Sequence, residues 1–175
     1  MKKIAAIIFL VLSMIIFTLP VFAFNVDVAN VCFSPYGGCT RIIVEQIDNA
    51  KSEILIQAYS FTSAPIAKAL VNAHKRGVHV EIILDKSNRS KKYSAGDLTA
   101  HMGVATYIDS KHAIAHSKII IIDKETVITG SFNFTKAAEE KNAENLLIIK
   151  SQELAKTYID NWSKHKEHSE KYEGR

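Results

Sequence analysis

The sequence contains no internal repeat and no linker that would separate two domains, so its 175 residues predict one domain with a single core. A hydrophobic content of 47% with 23% charged residues is ordinary for a globular protein. The excess of basic over acidic residues is also small. Lys2 and Lys3 are two of the 22 basic residues, so 20 basic and 18 acidic residues remain after the N-terminal segment. Net charge alone therefore does not indicate a nucleic-acid partner.

Cysteine is rare, since the chain has only Cys32 and Cys39. No further soft ligands lie near them, which argues against a four-cysteine zinc site. In an exported protein, the natural interpretation is a disulfide that closes a turn-rich loop. A two-ligand metal site and a pair of free thiols in a reducing compartment are the alternatives.

The N-terminal segment has the composition of an export signal. Lys2 and Lys3 precede an apolar run over residues 4–23, and this run ends in Val21-Phe22-Ala23, which a signal peptidase could cut. We expect residues 1–23 to be a signal peptide and residues 24–175 to form a single domain that is periplasmic or secreted. The rival interpretation is an uncleaved membrane anchor with the domain facing outside, because the run approaches the roughly 20 residues that span a bilayer.

After residue 40 the hydrophobic pattern alternates between strands and helices. A strand over residues 53–59, a helix that begins near Pro65 and ends at Gly77, and a strand over 79–85 form a βαβ unit with parallel strands. The run from Ile119 to Ile122 does not alternate, which suits a strand buried on both faces. We therefore predict an α/β fold with a mixed, largely parallel β-sheet covered by helices on both faces. The remaining predictions are helices over residues 41–50, 93–102, 135–140 and 152–164, strands over 104–108 and 145–150, a mobile polar segment over 86–92 and a charged tail over 165–175.

Two adjacent strands near the middle of the chain carry polar residues that suit a phosphodiester. His116 and Lys118 lie two residues apart, so in an extended segment they point to the same face. A neutral imidazole can attack phosphorus, and an ammonium can hold its non-bridging oxygens. Ser131 and Asn133 add hydrogen-bonding groups, and Gly130 permits a close approach of the backbone. Together these residues predict a phosphate site.

The spacing of these residues, HxKx4Dx6GSxN from His116 to Asn133, resembles the HKD motif of the phospholipase D superfamily. The surrounding sequence is similar to the small, single-motif periplasmic endonucleases of that superfamily at residues 58–62, 130–137 and 141–145. The resemblance implies a phospholipase D-like catalytic domain over residues 24–175, phosphodiesterase activity, and no metal or other cofactor.

The resemblance also implies roles for individual residues. His116 would be the nucleophile or the general acid. Glu144 matches the carboxylate that hydrogen-bonds this histidine and orients its ring. Asp123 and Gly130 would be structural. The residues that would hold the phosphate are Lys118, Ser131 and Asn133.

The chain carries one such motif, whereas larger members of the superfamily carry two. The reaction needs a nucleophile on one side of phosphorus and a proton donor for the leaving oxygen on the other. No second motif surrounds His74, His79, His101 or His112. We therefore predict an isologous two-fold homodimer in which the two copies of His116 meet across the axis.

Some side chains have a second interpretation. His112, His116 and Asp123 could ligate a metal, although Lys118 would repel a cation there. A group of basic residues could follow a phosphate backbone or form a solvated loop; this group is Lys86, Arg89, Lys91, Lys92, Lys111 and His112. The predicted core residues of the last helix include Tyr158 and Trp162, and the predicted tail residues include His165 and His168.

The sequence leads to three functional hypotheses. The first is an exported, metal-independent endonuclease that cleaves DNA or RNA through a phosphohistidine intermediate. The second is a phospholipase D or cardiolipin hydrolase that acts on lipid phosphodiesters. The third is a non-catalytic nucleic-acid-binding protein that keeps the phosphate site. A membrane would be a partner only if the N-terminal segment stays uncleaved.

Overall fold

The computed structural model describes residues 25–90 and 94–175. The predicted signal peptide and the basic residues Lys91 and Lys92 lie outside the described residues. Within the described ranges, no helix has both the length and the apolar character needed to cross a bilayer. Cleavage after residue 23 stays a prediction.

Strands and helices alternate along the described chain as the hydrophobic pattern predicts, with boundaries that shift by a few residues. The strands are β1 (Asp27–Ser34), β2 (Glu53–Ala58), β3 (His79–Asp85), β4 (Ala105–Asp109), β5 (Lys118–Ile122), β6 (Thr126–Gly130), β7 (Glu144–Lys150) and β8 (Glu170–Lys171). The helices are α1 (Cys39–Asn49), α2 (Ala64–Lys75), α3 (Ala95–His101), α4 (Lys136–Glu140) and α5 (Gln152–Glu167). The segment predicted to be mobile begins with a short 3-10 helix, Lys86–Arg89.

The described strands form one sheet in the order β1-β7-β6-β5-β2-β3-β4-β8. The pairs β2–β3 and β3–β4 are parallel, as the βαβ pattern predicts. The other five neighbouring pairs are antiparallel. The mixed α/β class is confirmed, but the sheet is not largely parallel. A turn over residues 123–125 joins β5 to β6, and so short a connection permits only antiparallel pairing.

Each face of the sheet packs against its own apolar cluster. The larger cluster joins α1, α2 and α3 to one face and includes Ile120 and Ile122 of β5. The smaller cluster includes Ile119, Ile121 and Trp162 of α5. Because successive side chains of a strand point to opposite faces, all four isoleucines are buried. The prediction that helices cover both faces is confirmed, and β5 is held rigidly at the centre of the sheet.

Two segments differ from the sequence-based prediction. The edge strand β1, which pairs with β7, was not predicted. The predicted charged tail is wrong, because α5 continues to Glu167 and β8 pairs with β4. Beyond β8, Tyr172 is buried and its hydroxyl donates a hydrogen bond to Asp97. The end of the chain is therefore part of the fold.

The disulfide between Cys32 and Cys39 is present, with 5.7 Å between the two Cα atoms. Cys32 belongs to β1 and Cys39 is the first residue of α1. Both cysteines are buried in the larger apolar cluster. The bond therefore ties the edge strand to the helix layer, and the two alternatives, a metal site and free thiols, do not apply.

Candidate active site

Six predicted site residues meet at one end of the strands β5, β6 and β7. β5 and β7 begin at this end and β6 terminates there, because the three strands are antiparallel neighbours. A cavity of about 420 Å³ opens between them, which is within the range of roughly 300–1,000 Å³ typical of small-ligand sites. The predicted residues that line it are His116, Lys118, Gly130, Ser131, Asn133 and Glu144.

His116 and Lys118 contact each other directly. The Nζ atom of Lys118 lies 3.0 Å from Nδ1 of His116 and donates to the His116 carbonyl oxygen at 2.6 Å. An ammonium group can only donate, so Nδ1 accepts and the ring proton lies on Nε2. In this tautomer Nε2 presents no lone pair to phosphorus. Nucleophilic attack therefore requires the proton to lie on Nδ1 instead.

Lys118 is almost completely removed from solvent, with 6% of its surface exposed. Burial lowers the pKa of its ammonium group, and the nearby negative charge of Glu144 opposes this change. The ammonium thus lacks part of the solvation that it would have in water. A phosphate group in the cavity would supply negative charge to it.

Glu144 is the first residue of β7 and lines the same cavity. Its Oε1 atom accepts a hydrogen bond from Nδ2 of Asn142 at 3.0 Å. Within the described chain, the expected hydrogen bond between Glu144 and His116 is not formed, because Nδ1 of the ring faces Lys118 instead. Glu144 thus lines the same cavity as His116, but its hydrogen-bond partner is Asn142 and not His116.

The end of β6 and the turn after it bring three further groups into the cavity. Gly130 has a φ of 154°, and a Cβ atom there would lie 2.2 Å from the carbonyl oxygen of Asn145 on β7. The close backbone approach predicted at Gly130 is therefore present. The Oγ atom of Ser131 accepts from the Asn145 backbone N–H at 3.0 Å, so its own proton can be donated to a ligand. Oδ1 of Asn133 is buried and accepts no hydrogen bond from the described residues.

Asp123 lies just past the far end of β5, and its carboxylate accepts hydrogen bonds from the residues that lead into β2. One of its carboxylate oxygens accepts from the backbone N–H groups of Ser52 and Glu53 and from the Ser52 hydroxyl at 2.7–3.0 Å. The other accepts from the Lys51 N–H at 2.9 Å. Burial alone would raise the pKa of Asp123, but the hydrogen bonds from Glu53, Ser52 and Lys51 together hold it below its usual value.

The metal hypothesis for His112, His116 and Asp123 is wrong. Asp123 follows the C-terminal end of β5, whereas His116 precedes its N-terminal end. The carboxylate of Asp123 is occupied by backbone N–H groups. His112 contacts Asp109, with 2.9 Å between Nδ1 and Oδ2. The three residues do not form one site.

One wall of the cavity region was not assigned from the sequence. The ring of Tyr59 lies against His116, with the two ring centroids 4.5 Å apart. Tyr158 of α5 was predicted as core; it packs on the smaller apolar cluster and also lines the cavity. Tyr59 directly follows β2, and the pairing of Ala58 with Lys118 brings it to the site. The sequence signal near Tyr59 was the family resemblance at residues 58–62, but its place beside His116 depends on the strand register.

The basic residues after β3 are engaged within the chain where the structure describes them. Nζ of Lys86 donates to the His112 carbonyl oxygen at 3.0 Å. Arg89 forms an ion pair with Glu170 of β8. These contacts stabilise the loop around β4, and they weaken the prediction that this segment follows a phosphate backbone.

The family model described as cardiolipin synthase, PLD-like domain, matches residues 43–166. This chain belongs to the phospholipase D-like family. The matched range contains every cavity residue named above, so the phospholipase D-like domain includes the whole candidate site. The fold expected from the resemblance is confirmed.

Three relatives illustrate the range of phospholipase D-like proteins that this chain is similar to. A phospholipase D of Rickettsia conorii is 50% identical over 133 residues, which are 76% of this chain and 66% of that protein. The crystal structure of Nuc from Salmonella typhimurium, a phospholipase D family member, matches with a TM-score of 0.80 and 41% identity, covering 85% of this chain and 99% of Nuc. The mitochondrial cardiolipin hydrolase of Mus musculus is 30% identical over 115 residues, which are 66% of this chain and 52% of that protein. The chain thus spans just under two thirds of the Rickettsia relative and about half of the mouse relative.

Proposed function

We propose that this chain is a phosphodiesterase whose nucleophile is His116. The observation that supports the proposal is the cavity in which His116, Lys118, Ser131 and Asn133 converge. An imidazole, a buried ammonium and neutral hydrogen-bonding groups around one space suit the two non-bridging oxygens of a phosphodiester. Membership of the phospholipase D-like family supports the same class of reaction.

The reaction would proceed in two displacements. In the first, a lone pair on Nε2 of His116 forms a bond to phosphorus, the bond to the leaving oxygen breaks, and that oxygen takes a proton from an acid on the opposite side. In the second, water attacks the phosphohistidine and the phosphorus–nitrogen bond breaks. The proton of the water passes to the group that protonated the leaving oxygen. Both groups return to their starting states, and no step uses a metal.

Before the first displacement, the proton of His116 has to lie on Nδ1. A phosphate that enters the cavity attracts the ammonium of Lys118, which is buried and now contacts His116 and the adjacent Tyr59 ring. Once Lys118 turns to the phosphate, Nδ1–H can donate to a carboxylate. Glu144 lines the same cavity and carries that carboxylate. Glu144 would then fix the ring orientation and the tautomer that exposes the lone pair of Nε2.

The acid that protonates the leaving oxygen would come from a second copy of the chain. Of the histidines in the described ranges, only His116 lines the cavity. In an isologous dimer, each copy would contribute one His116, so that one ring attacks while the other, as imidazolium, donates its proton. The single motif and the open cavity support this arrangement.

Nucleic acid is the substrate class that we propose. The support is the similarity of the chain to single-motif endonucleases and the extent of the match to Nuc, which covers 99% of that chain. DNA and RNA both present the required phosphodiester. Lipid phosphodiesters are the second candidate, because relatives of this chain bear the names phospholipase D and mitochondrial cardiolipin hydrolase.

Plasmid DNA and single-stranded RNA should be cleaved by the purified protein in excess EDTA, at a temperature where circular dichroism shows it to be folded. His116→Ala should abolish cleavage. His79→Ala is the matched control, because it removes an exposed imidazole at the start of β3 and should leave activity unchanged. Loss of cleavage by the folded wild-type protein in EDTA would contradict the proposed chemistry.

A parallel assay measures phosphatidic acid released from cardiolipin vesicles by the same variants. Release that depends on His116, without cleavage of either nucleic acid, would assign the lipid substrate. Binding of nucleic acid without turnover, unchanged in His116→Ala, would instead support the non-catalytic hypothesis.

Mixing unfolded wild-type and His116→Ala chains in equal amounts and refolding them tests the shared site. If both copies of His116 are required, about one quarter of the dimers should be active. About one half of full activity would mean that each chain works alone. Sedimentation velocity on the same samples gives the oligomeric state.

We also propose that the protein is exported and that residues 1–23 are removed. Mass spectrometry of the protein from a periplasmic extract should give an N-terminus at Phe24. Recovery of the full-length chain from the membrane fraction would identify the segment as an anchor.

A further inference from the structure

A second group of ionisable side chains lies outside the cavity and is here named the Asp109 cluster. It consists of Asp109 at the end of β4, His112 in the following loop, His165 in the last turn of α5 and His168 just beyond that helix. One nitrogen or oxygen from each side chain lies within 4.8 Å of the others. The Asp109 side chain is completely buried, whereas the histidines are 20–43% exposed.

Three imidazole nitrogens face the same oxygen, Oδ2 of Asp109. Nδ1 of His112 lies 2.9 Å away, Nδ1 of His165 lies 2.8 Å away, and Nε2 of His168 lies 3.3 Å away. Of these three contacts, those from Nδ1 of His112 and Nδ1 of His165 are hydrogen bonds. Nε2 of His168 is in fact buried and makes no hydrogen bond with the described residues. Hydrogen bonding within the cluster therefore leaves one buried nitrogen near the carboxylate but without a hydrogen bond.

A small divalent cation would satisfy all four side chains at once. Each imidazole would present a lone pair, and Oδ2 of Asp109 would present its negative charge. Zinc binds nitrogen at roughly 2.0–2.1 Å and carboxylate oxygen at roughly 2.0–2.2 Å, which places tetrahedral ligand atoms about 3.3 Å apart. The distances of 2.8–3.3 Å from Oδ2 to the three nitrogens are close to this value.

The surroundings of Asp109 also suit a metal ligand. Its second oxygen, Oδ1, accepts a hydrogen bond from the Lys111 backbone N–H at 3.0 Å, which fixes the plane of the carboxylate. Nζ of Lys86 donates to the His112 carbonyl oxygen at 3.0 Å. This contact holds the His112 backbone in place. Both cysteines that the structure describes are in the disulfide, so no thiolate competes for the ion.

We propose that the Asp109 cluster binds one zinc ion as a structural site. Four protein ligands complete a tetrahedron and leave no position for water or substrate, which distinguishes a structural zinc from a catalytic one. The ion would join the end of α5 to the end of β4. It would also fix the loop that runs from His112 to His116, since only three residues separate them.

Zinc binding can be measured on the purified protein after treatment with EDTA and removal of the chelator. Titration with zinc chloride, followed by calorimetry and elemental analysis, should give one equivalent per chain. His165→Ala/His168→Ala should reduce the affinity by more than the roughly 10- to 100-fold that loss of an outer-sphere partner costs. His79→Ala should bind like the wild type. Failure of the wild type to bind one equivalent, or equal binding by the double variant, would overturn the proposal.

If the double variant does not fold, His112→Ala provides the same test, because His112 lies in a loop and its side chain is 43% exposed. Cobalt(II) gives an independent readout, since four-coordinate cobalt absorbs visible light much more strongly than six-coordinate cobalt. The wild type should show the intense absorption and His112→Ala should lose it. A weak, six-coordinate spectrum from the wild type would contradict the closed tetrahedral site.

Thermal unfolding tests the structural role. Zinc at about 1,000 times its Kd should raise the Tm of the wild type by about 8–16 °C, and it should not change the Tm of the double variant. His116→Ala should show the full increase, because the site does not include the proposed nucleophile. The result is therefore independent of the proposed activity. An unchanged wild-type Tm at saturating zinc would refute the structural role.

Discussion

Replacing Asp123 by asparagine or alanine tests whether the aspartate of the motif stabilises the fold. Its carboxylate accepts four hydrogen bonds, three from backbone N–H groups and one from the Ser52 hydroxyl. These contacts tie the β5–β6 turn to the residues that lead into β2. Asparagine keeps one acceptor oxygen but loses the charge, whereas alanine removes every contact.

The expected loss in the free energy of unfolding depends on how exposed these hydrogen bonds are to water. A hydrogen bond to a charged group contributes about 1.5–3 kcal/mol when it is shielded from water. Those from Lys51 and Ser52 are exposed, so water can replace them, and only the one from Glu53 is partly buried. We therefore expect Asp123→Ala to lower the free energy of unfolding by about 2–3 kcal/mol, and Asp123→Asn by about 1–2 kcal/mol.

The effect should depend on pH in a definite direction. The pKa of Asp123 in the folded chain is below its usual value, so its stabilising contribution is complete above the unfolded pKa of about 4. The contribution is lost as the pH falls from there through the folded pKa. Urea unfolding at pH 7 should thus separate Asp123→Asn from the wild type, and the difference should shrink at pH 3.

Asp160→Asn is the matched control, because Asp160 is exposed on α5 and the same charge is removed. It should change the free energy of unfolding by no more than about 0.5 kcal/mol. The reasoning would be refuted if Asp123→Asn matched this control at pH 7, or if its effect were equally large at pH 3.

Three further predictions concern the site and its support. Glu144→Gln should lower kcat by about 10²–10⁴-fold and change the pH–rate profile, with the fold intact by circular dichroism. An amide has no negative charge, and its N–H groups can donate to Nδ1 of His116 and so favour the unreactive tautomer. Wild-type kinetics would contradict this. Gly130→Ala should lower the free energy of unfolding by about 3 kcal/mol or more in urea, since its Cβ would lie 2.2 Å from a carbonyl oxygen of the neighbouring strand, and a loss below about 1 kcal/mol would refute the close approach. Replacing both Cys32 and Cys39 by serine should lower the free energy of unfolding by about 2.5 kcal/mol, because the short loop that the disulfide closes would no longer restrict the unfolded chain. An unchanged free energy of unfolding would contradict this stabilising effect.

The sequence was most informative where a local pattern decides the structure. The period-two relation of His116 and Lys118 placed them on one face, and the unbroken isoleucine run that follows indicated a strand buried on both sides. The glycine needed at position 130 was also foreseeable, because a close backbone approach excludes a side chain. These inferences depend on neighbours in the chain, so one sequence suffices for them.

The errors occurred where distant contacts decide the structure. β8 is two residues long and has no periodicity, and its position comes from pairing with β4. His165 and His168 resembled a charged tail because the partner that gathers them, Asp109, is more than fifty residues earlier in the chain. Tyr59 reached the site through the pairing of β2 with β5. None of these long-range contacts can be predicted from a local sequence pattern.

The strand β5 separates the residues of the HxKx4D motif into two groups, one at each end of the strand. Lys118 is at one end of the strand and Asp123 just past the other, roughly 16 Å apart at the rise of an extended chain. A genetic screen for loss of activity would recover substitutions at both positions. Those at Lys118 should be defective at every temperature, whereas those at Asp123 should be temperature-sensitive and open to suppression by stabilising changes elsewhere. The temperature dependence of the defect, and not only its presence, would then distinguish the end of the strand that we propose to contact substrate from the end that stabilises the fold.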